Sequence, residues 1–403
     1  MLYNHFTVKL IGLQEIIVKN IYQNPKSISI MLEMKKSPKK CPCCGSVKAY
    51  IHDYRKQIIK DIPAFGKHVI LILKKRRYAC QDCKKRFFEE NKWLPRYHRI
   101  TNRLAYYVIN KLSDVTSFTS VAKEVNLSTS TVIRIFDMVS TSSALMPVVL
   151  SIDEFKGNTN GEKYQCIITD PVNKRVLDIL PMRYKHTLSD YFKRFDRSKT
   201  THFISDMWST YKDISDTYFK DATFVVDKYH FIRQIIWAFE AVRKEEQKKF
   251  AKTRRIYFKR SKSLLSKQYK HLNSEQKQQV DVMLYASENI LKAYSLKEQY
   301  FDFLDSPNST VAKDKLSKWV LLAENSGLKS FEDCAKTMQN WSTGILNSFD
   351  CPYTNGFTEG VNNKIKVIKR NAYGYRNFER FRKRILHIFR HKSQNGNKNI
   401  KVA

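Results

Sequence analysis

Two pairs of closely spaced cysteines constrain the fold of this chain more than any other feature. Cys41-Pro-Cys-Cys44 and Cys80-Gln-Asp-Cys83 each place two thiols on one tight turn. Two such turns supply the four sulfur ligands of a tetrahedral zinc site, and four thiolates leave no open position, so the zinc would be structural. Cys43 is a spare thiol or an alternative to Cys44. Four unconnected buried cysteines are the other reading of the pattern.

The segment between the two pairs is typical of strands. An apolar run begins at His68, and Pro63 and Gly66 mark a turn before it. Strands that bring the two cysteine turns together form a zinc ribbon. We therefore predict an N-terminal zinc-ribbon, DNA-binding domain over residues 1–97.

The charge balance indicates a polyanionic partner. Lys and Arg number 73 against 38 Asp and Glu, which gives a formal net charge of +35. A hydrophobic content of 42% with 13% aromatic residues is enough for folded cores, so nucleic acid is the favoured partner. A membrane surface is the competing polyanion, but no apolar run reaches the roughly 18 residues of a membrane span. The N-terminus also lacks the pattern of a secretion signal, so we expect no membrane partner and a cytoplasmic location.

Residues 117–139 have the pattern of a helix-turn-helix, within a predicted domain over 98–145. Ala122 suits a tight helix crossing, Asn126 suits the turn and Ser128 suits the cap of the second helix. The second helix would then face the major groove of double-stranded DNA through Ser128, Thr129, Ser130, Thr131 and Arg134. The alternative is an ordinary helical hairpin with Val121, Val125, Val132 and Ile135 in its core.

Two aspartates lie within or directly after apolar strands in the next part of the chain. Strands are predicted at 148–155, 164–169, 175–180, 202–205 and 223–226, with helices near 186–196 and 208–219, which indicates a mixed sheet covered by helices. Asp153 lies in the first of these strands and Asp206 ends the fourth. If the two strands are parallel neighbours, the carboxylates lie side by side and can hold Mg²⁺ for phosphoryl transfer.

A third carboxylate is expected from a helix, and Glu359 is the best candidate. Asn363 and Lys366 follow it at i+4 and i+7, so the three share one helical face, from which Lys366 could touch a DNA phosphate. Each of these acids taken alone is more simply a turn or surface residue. Among the competing acids, Glu154 should point away from Asp153 by strand alternation. Asp170 reads as a turn residue, and Asp227, followed by His230, is left without an assigned role.

These motifs resemble those of the DDE transposases of bacterial insertion sequences, in particular the IS-L-three group. The resemblance rests on the zinc-ribbon cysteines, the helix-turn-helix, Ile152-Asp153-Glu154-Phe155 and Thr358-Glu359-Gly360-Val361-Asn362-Asn363. Asp227-Lys-Tyr-His230 is similar to a further family segment. The resemblance implies an RNase H-like core with the catalytic triad Asp153, Asp206 and Glu359. It also implies Mg²⁺ or Mn²⁺ at that triad, and a homodimer or larger assembly on DNA.

The expected fold is therefore an α+β multidomain chain: zinc ribbon, helix-turn-helix and an RNase H-like mixed sheet with a helical insertion. The predicted core comprises 146–231 and 346–392, the insertion 232–345 and a disordered tail 393–403. The insertion carries a basic run that includes Arg254 and Arg255, which reads either as a DNA-contacting surface with Tyr257, Phe258 and Tyr269 or as a solvated helix face.

The predicted function is that of a transposase that binds the ends of its element and cuts and joins DNA. The alternatives are a non-catalytic zinc-ribbon and helix-turn-helix regulator, and an RNase H-like nuclease or resolvase.

Overall fold

The computed structural model describes residues 8, 10–13, 15–37, 40–91, 93–94, 98–140 and 145–396, with side chains described up to residue 390. The chain divides into two compact units. The first unit comprises residues 1–142, 367–375 and 379–403, and the second comprises 143–366 and 376–378. The predicted core segment 346–392 thus contributes residues to both units, with the first change of unit after residue 366.

The first unit is built on a five-stranded sheet. Its strands are β1 (Ile16–Gln23), β2 (Ser27–Met34), β3 (Ala49–Ala64), β4 (Lys67–Cys80) and β5 (Arg86–Phe88). They lie in the order β1-β2-β4-β3, with β5 also beside β4, and only β2 and β4 run parallel. Phe65 and Gly66 both have positive φ, 54° and 70°, which is the geometry of a two-residue hairpin turn. The turn predicted from Pro63 and Gly66 is therefore confirmed.

Three helices of the first unit form the predicted helix-turn-helix and its support. They span Asn102–Lys111, Phe118–Glu124 and Thr129–Asp137. Asn126 adopts a φ of 53° in the turn, and the Ser128 hydroxyl accepts a hydrogen bond from the backbone of Thr131 to cap the last helix. Their shared core contains the four residues that the hairpin alternative named, Val121, Val125, Val132 and Ile135. It also contains Leu104, Val108, Ala122 and Phe136.

The C-terminal helix, Phe378–Gly396, contributes to the same unit. Arg380 forms a two-point ion pair with Asp137 at 2.8 and 3.0 Å, and Lys383 donates to the carbonyl oxygen of Asp137 at 3.0 Å. Arg384 is 1% exposed and donates to two carbonyl oxygens in the turn before the helix-turn-helix. The helix continues through the first four residues of the predicted disordered tail, 393–396, while 397–403 lie outside the described residues.

The second unit contains a mixed sheet of the RNase H-like kind. Its strands are β6 (Val149–Thr159), β7 (Glu162–Asp170), β8 (Arg175–Leu180), β9 (His202–Ser205) and β10 (Thr223–Val226). The order is β10-β9-β6-β7-β8: β6, β7 and β8 form an antiparallel meander, and β9 and β10 run parallel to β6. Helices Lys185–Phe192 and Ser209–Tyr218 join the parallel strands. The five predicted strands are confirmed.

Helices fill the rest of the second unit. They span Lys228–Glu246, Lys252–Arg260, Lys262–Leu265, Ser274–Tyr285, Glu288–Leu304, Ser309–Glu324, Lys329–Asn340, Ser342–Asp350 and Gly356–Asn371, the last of which continues into the first unit. Buried side chains of all but the last of these helices form one core with one face of the sheet. Phe258 is 1% exposed in that core, so it does not belong to the aromatic surface that the basic run suggested. Across the described part of the chain, every helix is too short or too polar to span a membrane.

Candidate active site and metal centre

Three aspartates lie at one level across the parallel strands of the second unit. Ser151 on β6 pairs with Ile204 on β9, and Val226 on β10 pairs with Ser205 on β9. Asp153 and Asp206 each come two residues after the first of these pairs, and Asp227 comes one residue after the second, level with Asp206. The predicted parallel neighbourhood of β6 and β9 is confirmed. The side-by-side placement of the two carboxylates follows from the register.

Burial and mutual repulsion disfavour the charged forms of the two central carboxyls. Burial raises the pKa of Asp153 to about 7, and the negative charges of Asp227 and Glu154 add to the increase. Burial likewise raises the pKa of Asp206 to about 7, with further increases from Glu154 and Asp153. A cation that binds between the two carboxyl groups would stabilise their charged forms.

The hydrogen bonds of this pair are incomplete in the way a metal site requires. Asp206 Oδ1 is buried and has no hydrogen-bond partner among the described residues. Asp153 Oδ2 accepts from the side-chain amide of Asn362 at 2.8 Å, and its Oδ1 accepts from the backbone of Glu154 at 2.7 Å. Carboxylate oxygens in a protein interior are the ligands that Mg²⁺ and Mn²⁺ prefer, so these residues fit the divalent metal expected of the core.

Glu154 carries the nearest competing carboxylate. It forms an ion pair with Arg183, whose guanidinium lies 4.8 Å from the ring centre of Tyr164 and 4.6 Å from that of Trp208. The ion pair offsets part of the charge of Glu154, whereas Asp206 forms no ion pair with any described residue. Asp170, the other competitor, is buried and accepts hydrogen bonds from Asn173 and Arg175, as a turn residue does.

Glu359 lies in the first turn of the helix Gly356–Asn371 and is exposed. Its carboxylate forms no hydrogen bond or ion pair with any described residue. Asn362 follows one turn later on the same side of the helix and donates to Asp153, which brings this face of the helix to the aspartates. Asn363 and Lys366 are both exposed, and Lys366 Nζ donates to Asn363 Oδ1 at 3.0 Å.

A buried polar network fixes the start of this helix to the sheet. Asn355 donates to Asp227 Oδ2 at 3.2 Å and accepts from Ser151, while Thr358 bonds Ser151 at 3.2 Å and Thr169 at 2.7 Å. Asn355 is 5% exposed and Thr358 is fully buried. The helix that carries Glu359 is thereby tied to β6, β7 and the residue that follows β10.

Sequence reasoning gave no role to Asn355, Thr358 or Asn362. The signal for the last two was available, because both stand inside the Thr-Glu-Gly-x-Asn-Asn motif. Asn355 precedes the motif and carried no such signal. The sequence pattern does not show which residue of the sheet each of these side chains contacts.

The four predicted zinc ligands lie together in the first unit. The thiol sulfurs of Cys41 and Cys83 are 3.5 Å apart and those of Cys44 and Cys80 are 3.6 Å apart, with all four within 4.8 Å of one another. Sulfurs at the corners of a zinc tetrahedron are about 3.8 Å apart, so the cluster fits the ion. Backbone N–H groups, that of Cys44 first, lower the pKa of Cys41 to about 7, which favours the thiolate. Cys43 lies outside the cluster, which favours Cys44 over Cys43 as the ligand.

The predicted DNA contacts differ in how free they are. Ser130 and Arg134 are exposed on the helix Thr129–Asp137, and Thr129 is half-buried. Ser128 and Thr131 bond each other at 2.8 Å at the helix cap, and Arg134 donates to Thr131 at 3.3 Å. Arg254 and Arg255 are exposed on the helix Lys252–Arg260 of the second unit, with the Arg254 guanidinium near the ring of Phe250.

Comparison with known proteins agrees with this organisation. The transposase family model of the ISL3 family matches residues 150–385, more than half of the 403 residues. A model described as the zinc-finger of transposase IS204/IS1001/IS1096/IS1165 matches residues 37–83, and one described as the helix-turn-helix domain of transposase family ISL3 matches residues 89–140.

Two curated proteins are similar to the chain. The transposase for insertion sequence element IS1001 of Bordetella parapertussis is 27% identical over 368 residues, which cover 88% of this chain and 90% of that protein. A protein named ATP-dependent protease from Lactococcus lactis subsp. lactis is 37% identical over 108 residues, which cover 27% of this chain and 33% of that protein. The second match is too partial to bear on the whole chain.

The three family models match the chain in the same order as the zinc ribbon, the helix-turn-helix and the RNase H-like sheet. The chain therefore belongs to the ISL3 family of insertion-sequence transposases.

Proposed function

We propose that this transposase binds the ends of its insertion sequence and catalyses metal-dependent DNA cleavage and strand transfer with Asp153, Asp206 and Glu359. The observation that carries the proposal is the pair of half-buried carboxylates at one level of β6 and β9, with Asp206 Oδ1 unpartnered among the described residues. A site of this kind is costly for the protein alone and is stabilised by divalent cations.

Asp153, Asp206 and Glu359 would hold Mg²⁺ or Mn²⁺. The bound cations supply charge neutralisation at the scissile phosphate and activation of a water or 3′-hydroxyl. The protein's own part is positional: Asn362 orients Asp153, and the network through Asn355 and Thr358 fixes the helix on which Glu359 stands. Asn363 and Lys366, one and two turns beyond Glu359, are proposed to contact the phosphate backbone beside the reacting strand.

Recognition of the ends is proposed for the helix Thr129–Asp137. Thr129, Ser130 and Arg134 are the candidates for base contacts, while Ser128 and Thr131 hold the cap that presents the helix. Arg254 and Arg255 are proposed to contact DNA backbone through charge alone. We also propose that two copies act together, one on each end of the element.

The test is a nicking and joining assay on duplexes that carry the ends of the element, in Mn²⁺ or Mg²⁺. Glu359→Gln and Asp206→Asn are expected to lower the rate by roughly a thousandfold or more, because each removes a metal ligand. Both variants should retain binding to the duplex.

The matched control is Glu275→Gln. Glu275 is also an exposed glutamate in the first turn of a helix, and its loss should leave the rate unchanged. If the wild-type protein binds the ends but neither nicks nor joins them, the cleavage proposal fails and a DNA-binding regulator remains. Full activity in Glu359→Gln would remove Glu359 from the site.

A further inference from the structure

An exposed stack of alternating aromatic and cationic side chains begins beside the aspartates. The helix Lys228–Glu246 starts immediately after Asp227, and Tyr229, Arg233 and Trp237 stand on it at intervals of four residues. Residues at this spacing share one face of a helix. The guanidinium of Arg233 lies 5.4 Å from the ring centre of Tyr229 and 4.6 Å from that of Trp237. We call these three residues the aromatic ladder.

The ladder is not part of the core. The opposite face of the helix supplies that core with Phe231, Ile235, Ala238, Phe239 and Val242, all buried. Tyr229 is 52% exposed and Trp237 is 53% exposed. Large aromatic rings held at a surface are characteristic of binding sites, since burying them would stabilise the fold further.

The ladder is also connected to the carboxylate site. Its helix begins directly after Asp227, and Asp227 Oδ1 accepts a hydrogen bond from the backbone N–H of Tyr229 at 3.4 Å. Arg233 is held in place by a 3.2 Å contact between its Nη2 and Nδ1 of His230, and His230 lies 3.7 Å from Asp227. The inner end of the ladder is therefore fixed to the third aspartate of the sheet edge.

The chemistry of the ladder fits unpaired bases better than duplex DNA. Inside a duplex the base faces are stacked on one another, and a protein meets only edges and phosphates. Aromatic rings and a guanidinium plane offer faces, to which an unstacked base of any sequence can bind. The helix rises about 12 Å from Tyr229 to Trp237, which is room for more than one base.

We infer that the aromatic ladder holds unpaired nucleotides of the DNA strand next to the carboxylate site. The inference rests on the proposed function, because it takes the DNA strand to pass over Asp153 and Asp206. It assigns to Tyr229, Arg233 and Trp237 the task of keeping a locally opened strand from closing again beside the scissile phosphate.

Binding without cleavage tests the inference. The probes are a 20-base-pair duplex with a 3′ extension of four thymidines and the same duplex with blunt ends. Binding of the full zinc-loaded chain is measured by fluorescence anisotropy at one salt concentration, without Mg²⁺, Mn²⁺ or a chelator that would remove the zinc. The wild-type protein should bind the extended duplex about tenfold more tightly than the blunt one. Trp237→Leu and Tyr229→Leu should each remove most of that preference and leave the affinity for the blunt duplex unchanged.

Tyr285→Leu is the matched control, because Tyr285 is 95% exposed on another helix of the same unit. It should keep the full preference. The inference is overturned if the wild type shows no preference, or if the ladder variants weaken both probes equally. It is also overturned if those variants shift the protein from dimer to monomer in light scattering, which would make the ladder a subunit interface. Since the probes are not cut without Mg²⁺ or Mn²⁺, a failure of the catalytic proposal would appear separately in the nicking assay.

Discussion

Asp206 shows how the fold sets the chemistry of a single side chain. It stands directly after β9, level with Asp153 on one side and Asp227 on the other, and one of its oxygens has no partner among the described residues. The surroundings therefore favour the protonated acid, and the pKa of Asp206 is raised to about 7 by burial and by the charges of Glu154 and Asp153. Without metal, such a group lowers the stability of the fold at neutral pH.

Replacement of this acid should stabilise the metal-free protein. Between about pH 4 and pH 7 the folded chain keeps a proton on Asp206 that the unfolded chain has released, so stability falls as pH rises through this range and levels off above it. At pH 8 without metal, Asp206→Asn should raise the free energy of unfolding by about 2 kcal/mol, and the gain should vanish near pH 4. Urea denaturation at both pH values measures it.

The same variant also tests the metal. Mn²⁺ at millimolar concentration should stabilise the wild type and leave Asp206→Asn unchanged, because ligand binding to the folded state adds to its stability. A gain for Asp206→Asn that is equal at pH 4 and pH 8 would contradict the assigned cause, since a neutral acid and an amide would then differ by packing alone.

Local patterns predicted elements well and contacts between distant residues poorly. Strand alternation and the Ser128 cap depend on neighbours within a few residues. The five strands of the second sheet, the strand that begins near His68 and the helix-turn-helix could therefore be predicted from the sequence. Helical spacing also placed Glu359, Asn363 and Lys366 on one face. It could not show that Asn362 is the residue that reaches Asp153, because that depends on how the helix is rotated against β6, some 200 positions earlier in the chain.

The C-terminal helix is the element for which sequence reasoning was least informative. Arginines and lysines on one helix are equally typical of DNA contacts and of a solvated face. Here Arg380 and Lys383 bond Asp137 in the helix-turn-helix, and Arg384 bonds the turn that precedes it. The turn between Asn102–Lys111 and Phe118–Glu124 presents the carbonyl oxygens of Asp114 and Thr116, which a buried guanidinium satisfies at 2.9 and 2.7 Å. A pattern within one helix cannot reveal acceptors that belong to another.

Arg384→Met should therefore destabilise the first unit by about 3 kcal/mol, because it leaves two partly buried carbonyl oxygens without a charged donor. Arg55→Met is the matched control from the same unit. The Arg55 side chain is 64% exposed, and an exposed ion pair such as its contact with Asp53 contributes about 1 kcal/mol or less. Urea denaturation of the two variants gives the comparison, and equal losses would mean that the buried contacts of Arg384 do not hold the helix in place. Binding to duplex DNA should weaken with Arg384→Met as the unit loosens.

At the scale of the whole molecule, the two candidate metal sites lie in different units. The sulfur cluster of Cys41, Cys44, Cys80 and Cys83 joins the ends of β3 and β4 in the first unit, while the aspartates lie on the sheet of the second. A closed sulfur site contributes to folding, and an open carboxylate site contributes to chemistry and stabilises only when a cation is bound. The two ions should therefore act on stability independently.

Calorimetry of the full chain should show this independence as two transitions with separate metal responses. Elemental analysis should find one zinc per chain. Cys80→Ser should remove it and lower the melting temperature of one transition, because the thiolates no longer close the ribbon. The other transition should keep its melting temperature and still rise with added Mn²⁺. Asp206→Asn should do the reverse, abolishing the response to Mn²⁺ while the zinc content stays at one. A single transition that Cys80→Ser and Mn²⁺ both shift would show instead that the two units unfold together, and the sulfur site would then contribute to the stability of the catalytic sheet as well.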